Sequence, residues 1–235
     1  RTRYFEIEEN LGEIDNNNLA RSLSLARTKK ADYLLFGEVA PVKEDSWEFK
    51  GFLYDTQSQK AVLAKKFISS SKGLRRSAHL FTDQITKLLY GKRGVADTKI
   101  AFSNDSTGRK EIYMVDYDGY NLIKLTKDKS IALLPRWNSD GTKIFYTTYR
   151  NRNPDIFYID LKAGTINPLL KGGGLNLIGG VSPDDSKIVF TMSRGENASI
   201  FIKELDTGNL RQLTDKYGVD GSPSFSPDGK FVAYV

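Results

Sequence analysis

The chain has no cysteine and one histidine, His79, among its 235 residues. Without thiols it forms no disulfide and offers no thiolate metal site. One histidine makes a three-ligand zinc centre hard to assemble, and with no G-x-S-x-G motif there is no serine nucleophile for it to serve. No uninterrupted apolar run approaches the roughly 20 residues a membrane helix needs, so direct membrane insertion is not expected. A dense basic stripe is lacking too. Lys29-Lys30, Lys65-Lys66 and Arg75-Arg76 are isolated pairs in separate elements, which argues against a nucleic-acid partner.

What is present is an ordinary globular composition, 39% hydrophobic and 27% charged, long enough for two domains. The net charge of +6 lies in residues 1–93, with 17 Lys+Arg against 12 Asp+Glu, while residues 94–235 hold 18 against 17. The first stretch alternates helix and strand signals and reads as an incomplete α/β domain. Arg3 to Glu9 suggests a strand. Asn18 is placed to cap a short helix carrying Leu19, Leu23 and Ala26, and Tyr33 to Val39 reads as a buried strand. Trp47 to Asp55 and Ala61 to Ile68 form a hairpin across Thr56 to Gln59. Leu74 to Tyr90 returns to helical spacing until Gly91 and Gly94 stop it.

Residues 94–235 repeat with a period of 44: Lys99-Ile100, Lys143-Ile144 and Lys187-Ile188 keep this spacing, as do Leu125, Leu169 and Leu213. So do the aspartates of Asn138-Ser139-Asp140-Gly141, Ser182-Pro183-Asp184-Asp185 and Ser226-Pro227-Asp228-Gly229. Four short strands and an Asp/Gly turn per repeat of this length are a β-propeller blade signature. The inner strands end in Trp137, Val181 and Phe225. The first repeat lacks its inner strand and the last is cut short, so the ring is expected to be finished by further blades downstream.

Several segments carry a family resemblance. Ala31-Asp32-Tyr33-Leu34-Leu35-Phe36-Gly37-Glu38-Val39 is similar to a strand of the TolB N-terminal domain. Leu74-Arg75-Arg76-Ser77-Ala78-His79, Asp83 and Thr98-Lys99-Ile100-Ala101-Phe102 are similar to that family's helix and its crossing into the propeller. Asp116-Tyr117-Asp118-Gly119-Tyr120-Asn121 resembles the hairpin of its first blade. The resemblance implies about three of an expected six blades, the periplasm, no enzymatic activity and no cofactor. It also implies binding of the lipoprotein Pal, communication with TolA and other Tol proteins through a tail absent from this sequence, a role in outer-membrane integrity and cell division, and exploitation by bacteriocins. The rival reading is the gating propeller of a prolyl-oligopeptidase-like serine hydrolase, whose catalytic domain would lie outside this sequence.

Candidate sites follow from this layout. Loops joining the outer strand of one blade to the inner strand of the next converge on the channel mouth: Lys127 to Leu134, Lys171 to Gly180 and Lys216 to Ser222. Ile131, Leu133, Leu134, Leu175, Leu177 and Ile178 are unusually apolar for loops and suit a protein interface. Asn176, Asp220 and Gly221 complete the set, with Asn176 and Asp220 expected to orient a partner by hydrogen bonds. His79 and Asp83 lie one turn apart, and the structural reading, a pair pinning the helix against the propeller, is preferred over a metal site. Asp116, Asp118 and Asn121 fit a hairpin better than a calcium loop, because Gly119 follows Asp118 at once.

Overall fold

The computed structural model describes residues 18–215 and 217–235, the Arg194 side chain excepted; the strand expected over Arg3 to Glu9 lies outside the described residues. The chain divides into two compact units, Arg1–Thr98 and Lys99–Val235.

In the first unit, helix α1 (Leu19–Thr28) precedes an antiparallel meander of β1 (Tyr33–Lys43), β2 (Ser46–Asp55) and β3 (Lys60–Ser69), and α2 (Leu74–Tyr90) follows. Strand periodicity separates the side chains. Leu34, with Tyr54 beside it in register, joins Leu23 and Ala26 of α1, while Phe49, Leu53, Leu63 and Phe67 lie against Phe81 and Ile85 of α2. The sheet is therefore covered by one helix on each face. Tyr33 to Val39 is consequently not buried throughout: Leu34 and Phe36 are covered, but Leu35 is 55% exposed on an edge strand that α2 does not reach. Asn18 stands at the start of α1 without a side-chain capping bond, its carbonyl accepting from Ser22 N–H. Gly91 ends α2 at φ 67°, a left-handed cap whose N–H donates to the Lys87 carbonyl.

Gly51 shows how closely the layers approach. A Cβ there would sit 2.5 Å from the Phe81 ring, so only hydrogen lets the helix lie on the sheet at this point.

The second unit is a succession of antiparallel blades. The first holds β4 (Lys99–Asn104), β5 (Glu111–Asp116) and β6 (Ile123–Lys124). The second holds β7 (Ala132–Trp137), β8 (Lys143–Thr148), β9 (Asp155–Asp160) and β10 (Thr165–Leu170). The third holds β11 (Asn176–Val181), β12 (Lys187–Arg194), β13 (Asn197–Glu204) and β14 (Leu210–Gln212). The fourth begins with β15 (Ser224–Phe225) and β16 (Val232–Ala233).

The blades are held face to face by apolar layers. Ile112 of the first packs with Ile144, Tyr146, Phe157 and Ile159 of the second. Phe145 and Ile156, on the other face of the second, pack with Ile178, Ile188, Phe190 and Phe201 of the third. Val189, Ile200 and Ile202 continue the pattern toward Phe225 and Val232. Middle strands are thus covered on both faces, which is why Ile144–Tyr146 and Ile188–Phe190 are unbroken apolar runs that do not alternate. Each fully buried isoleucine or phenylalanine contributes about 1.5–3 kcal/mol by removal from water.

Candidate partner-binding face

Because neighbouring strands run antiparallel, connections emerge alternately at two ends of the blades. One end gathers β4–β5, β6–β7, β8–β9, β10–β11, β12–β13 and β14–β15. Backbone bonds stitch them together: Ala132 N–H to the Lys110 carbonyl, Tyr149 N–H to Ile131, and Asn176 N–H to Pro154. This end carries the connections expected to form the channel mouth. The opposite end gathers the Asp/Gly turns.

The residues proposed for the mouth fall into two groups. Ile131 is 45% exposed on the β6–β7 connection, its carbonyl bonded to Tyr149. Leu175 is half-buried just ahead of β11, its carbonyl accepting from Ser193 N–H and its own N–H donating to the Ser193 hydroxyl, and Leu133 and Leu177 are half-buried within β7 and β11. Asp220 and Gly221 are half-buried; Asp220 N–H donates to the Ala198 carbonyl, and Gly221 pairs in both directions with Val235.

Asn176 and Ile178 are different. The segment Lys171 to Gly180 is not all loop, since β11 begins at Asn176, and both side chains are buried, at 1% and 2% exposure. Asn176 spends its amide inward on the Gly172 and Gly174 carbonyls, closing the glycine loop, while its own carbonyl accepts from the Thr147 hydroxyl. It therefore has no amide proton directed at a partner. Ile178 belongs to the layer between the second and third blades, and half-buried Leu134 packs against the same layer with its backbone at φ 56°, beside a bulge in β7.

Sequence reasoning missed the polar scaffold behind these positions. Asp128, in the β6–β7 connection, is fully covered and paired with Arg150; it also accepts from the Thr148 hydroxyl at 2.6 Å and from the Tyr146 hydroxyl at 3.4 Å. Burial first, and then the Asp128 charge, push the Tyr146 hydroxyl well above its ordinary value. Glu111 at the start of β5 is 2% exposed. Burial raises its pKa, but the Thr126 hydroxyl, the Asp128 and Lys129 amides and Lys124 outweigh that and hold it below the ordinary carboxylate range. Both acids fix the β6–β7 connection from beneath. In β7, Arg136 donates through Nε to the Gly179 carbonyl at 2.6 Å, tying two inner strands together. A signal for these groups was available, since charged residues just before or inside apolar strands demand partners.

Away from the mouth, Asp83 accepts from the Ala96 and Asp97 amides at 2.8 and 3.1 Å, and Asp97 is forked by Arg76. Gly94 lies so close to Asp83 that a Cβ would overlap it. These bonds fix the segment after α2 within its own unit. Asp116, Asp118 and Asn121 form a tight hairpin turn: Asp116 binds Lys99 and Asn121, and Asp118 accepts from Tyr120 N–H. Among the described residues no cluster of three or more His, Cys, Asp or Glu is arranged to hold a metal ion, and no helix is long and apolar enough to cross a membrane.

Comparison with known proteins places this architecture. Over 120 residues the chain is 34% identical to the Tol-Pal system protein TolB of Desulfosudis oleivorans, a stretch covering 51% of this chain and 27% of that protein. It is 42% identical over 97 residues to the TolB homolog of Chlorobaculum tepidum, covering 41% and 22%. The aligned stretch thus spans about a quarter of the length of these relatives. The crystal structure of TolB from Acinetobacter baumannii superposes on all of this chain, and on 58% of its own, with a TM-score of 0.80 at 23% identity, which shows a common fold. The family described as TolB beta propeller domain matches residues 86–235, and with that match over more than half its length the chain belongs to the TolB family.

Proposed function

We infer that this chain is part of a non-enzymatic periplasmic scaffold of the Tol-Pal system, in which the propeller mouth captures the lipoprotein Pal and the α/β unit couples that capture to the other Tol proteins. Its service is to outer-membrane integrity and envelope constriction during division. The observation carrying this reading is the family match over residues 86–235, joined by named Tol-Pal relatives over overlapping sequence. The mouth chemistry supports it: apolar Ile131 and Leu175 on the connections, and Leu133 and Leu177 at the starts of β7 and β11, stand at least partly open on a frame held rigid from beneath. Rigid apolar anchors with polar neighbours suit protein recognition, since little conformational freedom is lost on binding. The buried Asn176 and Ile178 and the half-buried Leu134 serve that surface indirectly, by shaping it.

Ile131 gives the cleanest test, because its side chain is the most exposed of the set and its contribution to folding is small. Ile131→Asp in the full-length protein should weaken binding of the soluble Pal domain at least tenfold, about 1.4 kcal/mol, with thermal unfolding unchanged. Pal affinity equal to that of the parent would refute the placement of the site.

A further inference from the structure

The propeller sequence is nearly neutral, with 18 Lys+Arg against 17 Asp+Glu in residues 94–235, but the fold distributes the two signs unevenly. At the mouth, Arg109 and Lys110 lie on the β4–β5 connection and Lys127 and Lys129 on β6–β7, while Arg152 and Lys171 lie on the next two. All six are exposed, and among the described residues none is ion-paired. The same four connections carry one exposed acid, Asp105; Glu111 and Asp128 are withdrawn beneath the surface, and Asp128 is neutralised by Arg150. The connections that follow bring Glu196 and Asp215 to the surface. At the opposite end the turns expose five acids, Asp118, Asp140, Asp184, Asp206 and Asp228, against two cations, Lys162 and Lys230.

The basic half-rim contains a cavity of about 450 Å³ lined by Thr107, Gly108, Arg109, Glu111, Lys124 and Lys129. Lys124 lies 3.7 Å from Glu111 and donates to the Thr107 hydroxyl at 3.2 Å, so one cation offsets the one buried acid. Arg109 and Lys129 remain in surplus. A guanidinium and an ammonium converging on one concavity match a carboxylate, which a guanidinium grips with two parallel hydrogen bonds. We propose that this half of the mouth docks an acidic surface on a protein partner, a carboxylate side chain of which enters the cavity between Arg109, Lys124 and Lys129. The proposal rests on the mouth being the partner-binding face, and adds the chemistry of what it receives. Like charges gathered on one rim also accelerate encounter with an oppositely charged surface.

The test uses full-length protein and the soluble Pal domain from the same organism, with association rates measured at low and high ionic strength. Reversing the cavity charges with Arg109→Glu and Lys129→Glu should slow association about tenfold at low salt and flatten its salt dependence. Asp118→Lys with Asp206→Lys, at the far end, should leave the rate unchanged. Pal association that ignores the cavity reversal, or responds equally to the far-end pair, overturns the proposal while leaving the mouth assignment standing. Should Pal not bind at all, the functional reading fails, and a deca-glutamate peptide decides the inference. Retention by the parent and loss in the cavity variant support it; equal retention by both, or binding of inorganic phosphate alone, overturns it.

Discussion

At the turn between β11 and β12 the repeat departs from itself, and the departure has a measurable energy. The corresponding residues of the other two turns are Gly141 and Gly229, at φ 70° and 71°, whereas Asp185 occupies the same left-handed backbone at φ 59°. A side chain in that region costs on the order of 1 kcal/mol relative to glycine. Asp185 offsets this through the neighbouring blade. Its carboxylate accepts Ser139 N–H at 2.7 Å, the Ser139 hydroxyl at 2.8 Å and the Asn138 side-chain amide at 3.2 Å. Asn138 is buried and Ser139 exposed, so together these bonds contribute about 2–3 kcal/mol, below the full value for three charged bonds.

The three substitutions at this position then separate strain from clasp. Asp185→Ala loses the bonds and keeps the strain, costing about 2–3 kcal/mol. Asp185→Gly loses both, for a net of about 1–2 kcal/mol, and Asp185→Asn keeps a tolerated backbone and one acceptor, for about 1 kcal/mol. Urea unfolding of the full-length protein, followed by fluorescence of Trp137 next to Asn138, gives the ranking. Hydrogen exchange at the Ser139 amide reads the clasp locally, and Asp185→Gly should accelerate it. A glycine variant at least as stable as the parent, with Ser139 still protected, would show that the carboxylate contributes nothing between blades.

Three further outcomes are expected. Gly51→Val places methyl groups against the Phe81 ring and should cost at least 1–3 kcal/mol, partly recovered by adding Phe81→Leu; no recovery would mean that the strand, and not the helix contact, demands glycine. Arg150→Met leaves the fully covered Asp128 carboxylate with two hydroxyl donors and should destabilise by about 2–4 kcal/mol, more than Asp128→Asn, which leaves a partly exposed guanidinium; the reverse order in denaturant midpoints would contradict this account. The Ser182 hydroxyl, then the Ser186 amide and hydroxyl, hold Asp184 down to about 2 from its ordinary 3.8, so its stabilisation is complete above the higher value and lost as pH falls toward the lower. Asp184→Asn should flatten that acid limb of the stability curve between pH 4 and 2, and an unchanged limb would place the acid sensitivity elsewhere.

Much of the fold was legible because it is written more than once. A 44-residue count locates each blade and turn, and β7, β11 and β15 end at the expected Trp137, Val181 and Phe225. Single-copy features were harder. Leu35 and Val39 share the apolar character of Leu34 and Phe36 but lie on the uncovered side of an edge strand, which no local pattern reveals. At the mouth, apolar residues next to glycines read as loop, yet Asn176 aligns in the repeat with Ala132, whose side chain is fully buried at the start of β7. Comparing those repeat positions would have moved Asn176 inward. The Asp185 clasp was visible in the same way, as a non-glycine where two sister turns keep glycine.

The repeat also explains why the two ends of the propeller are not equivalent evidence about binding. Acids at three of the turns are held by the turn itself: Asp140, Asp184 and Asp228 each accept the amide two residues on, from Thr142, Ser186 and Lys230. Their negative charge accompanies the way this chain reverses direction. Nothing comparable holds the cations of the mouth. Among the described residues the side chains of Arg109, Lys110, Lys127, Lys129 and Arg152 make no hydrogen bond or ion pair, and apart from Lys127, which recurs as Lys171, they differ from blade to blade where the turns repeat. Folding does not need them, and gathering like charges on one rim costs repulsion that a charge-neutral set of loops would avoid. Charge that is structural should respond to substitution through stability, and charge that is not should respond through association. That difference is why the far-end aspartates serve as the control for Arg109 and Lys129.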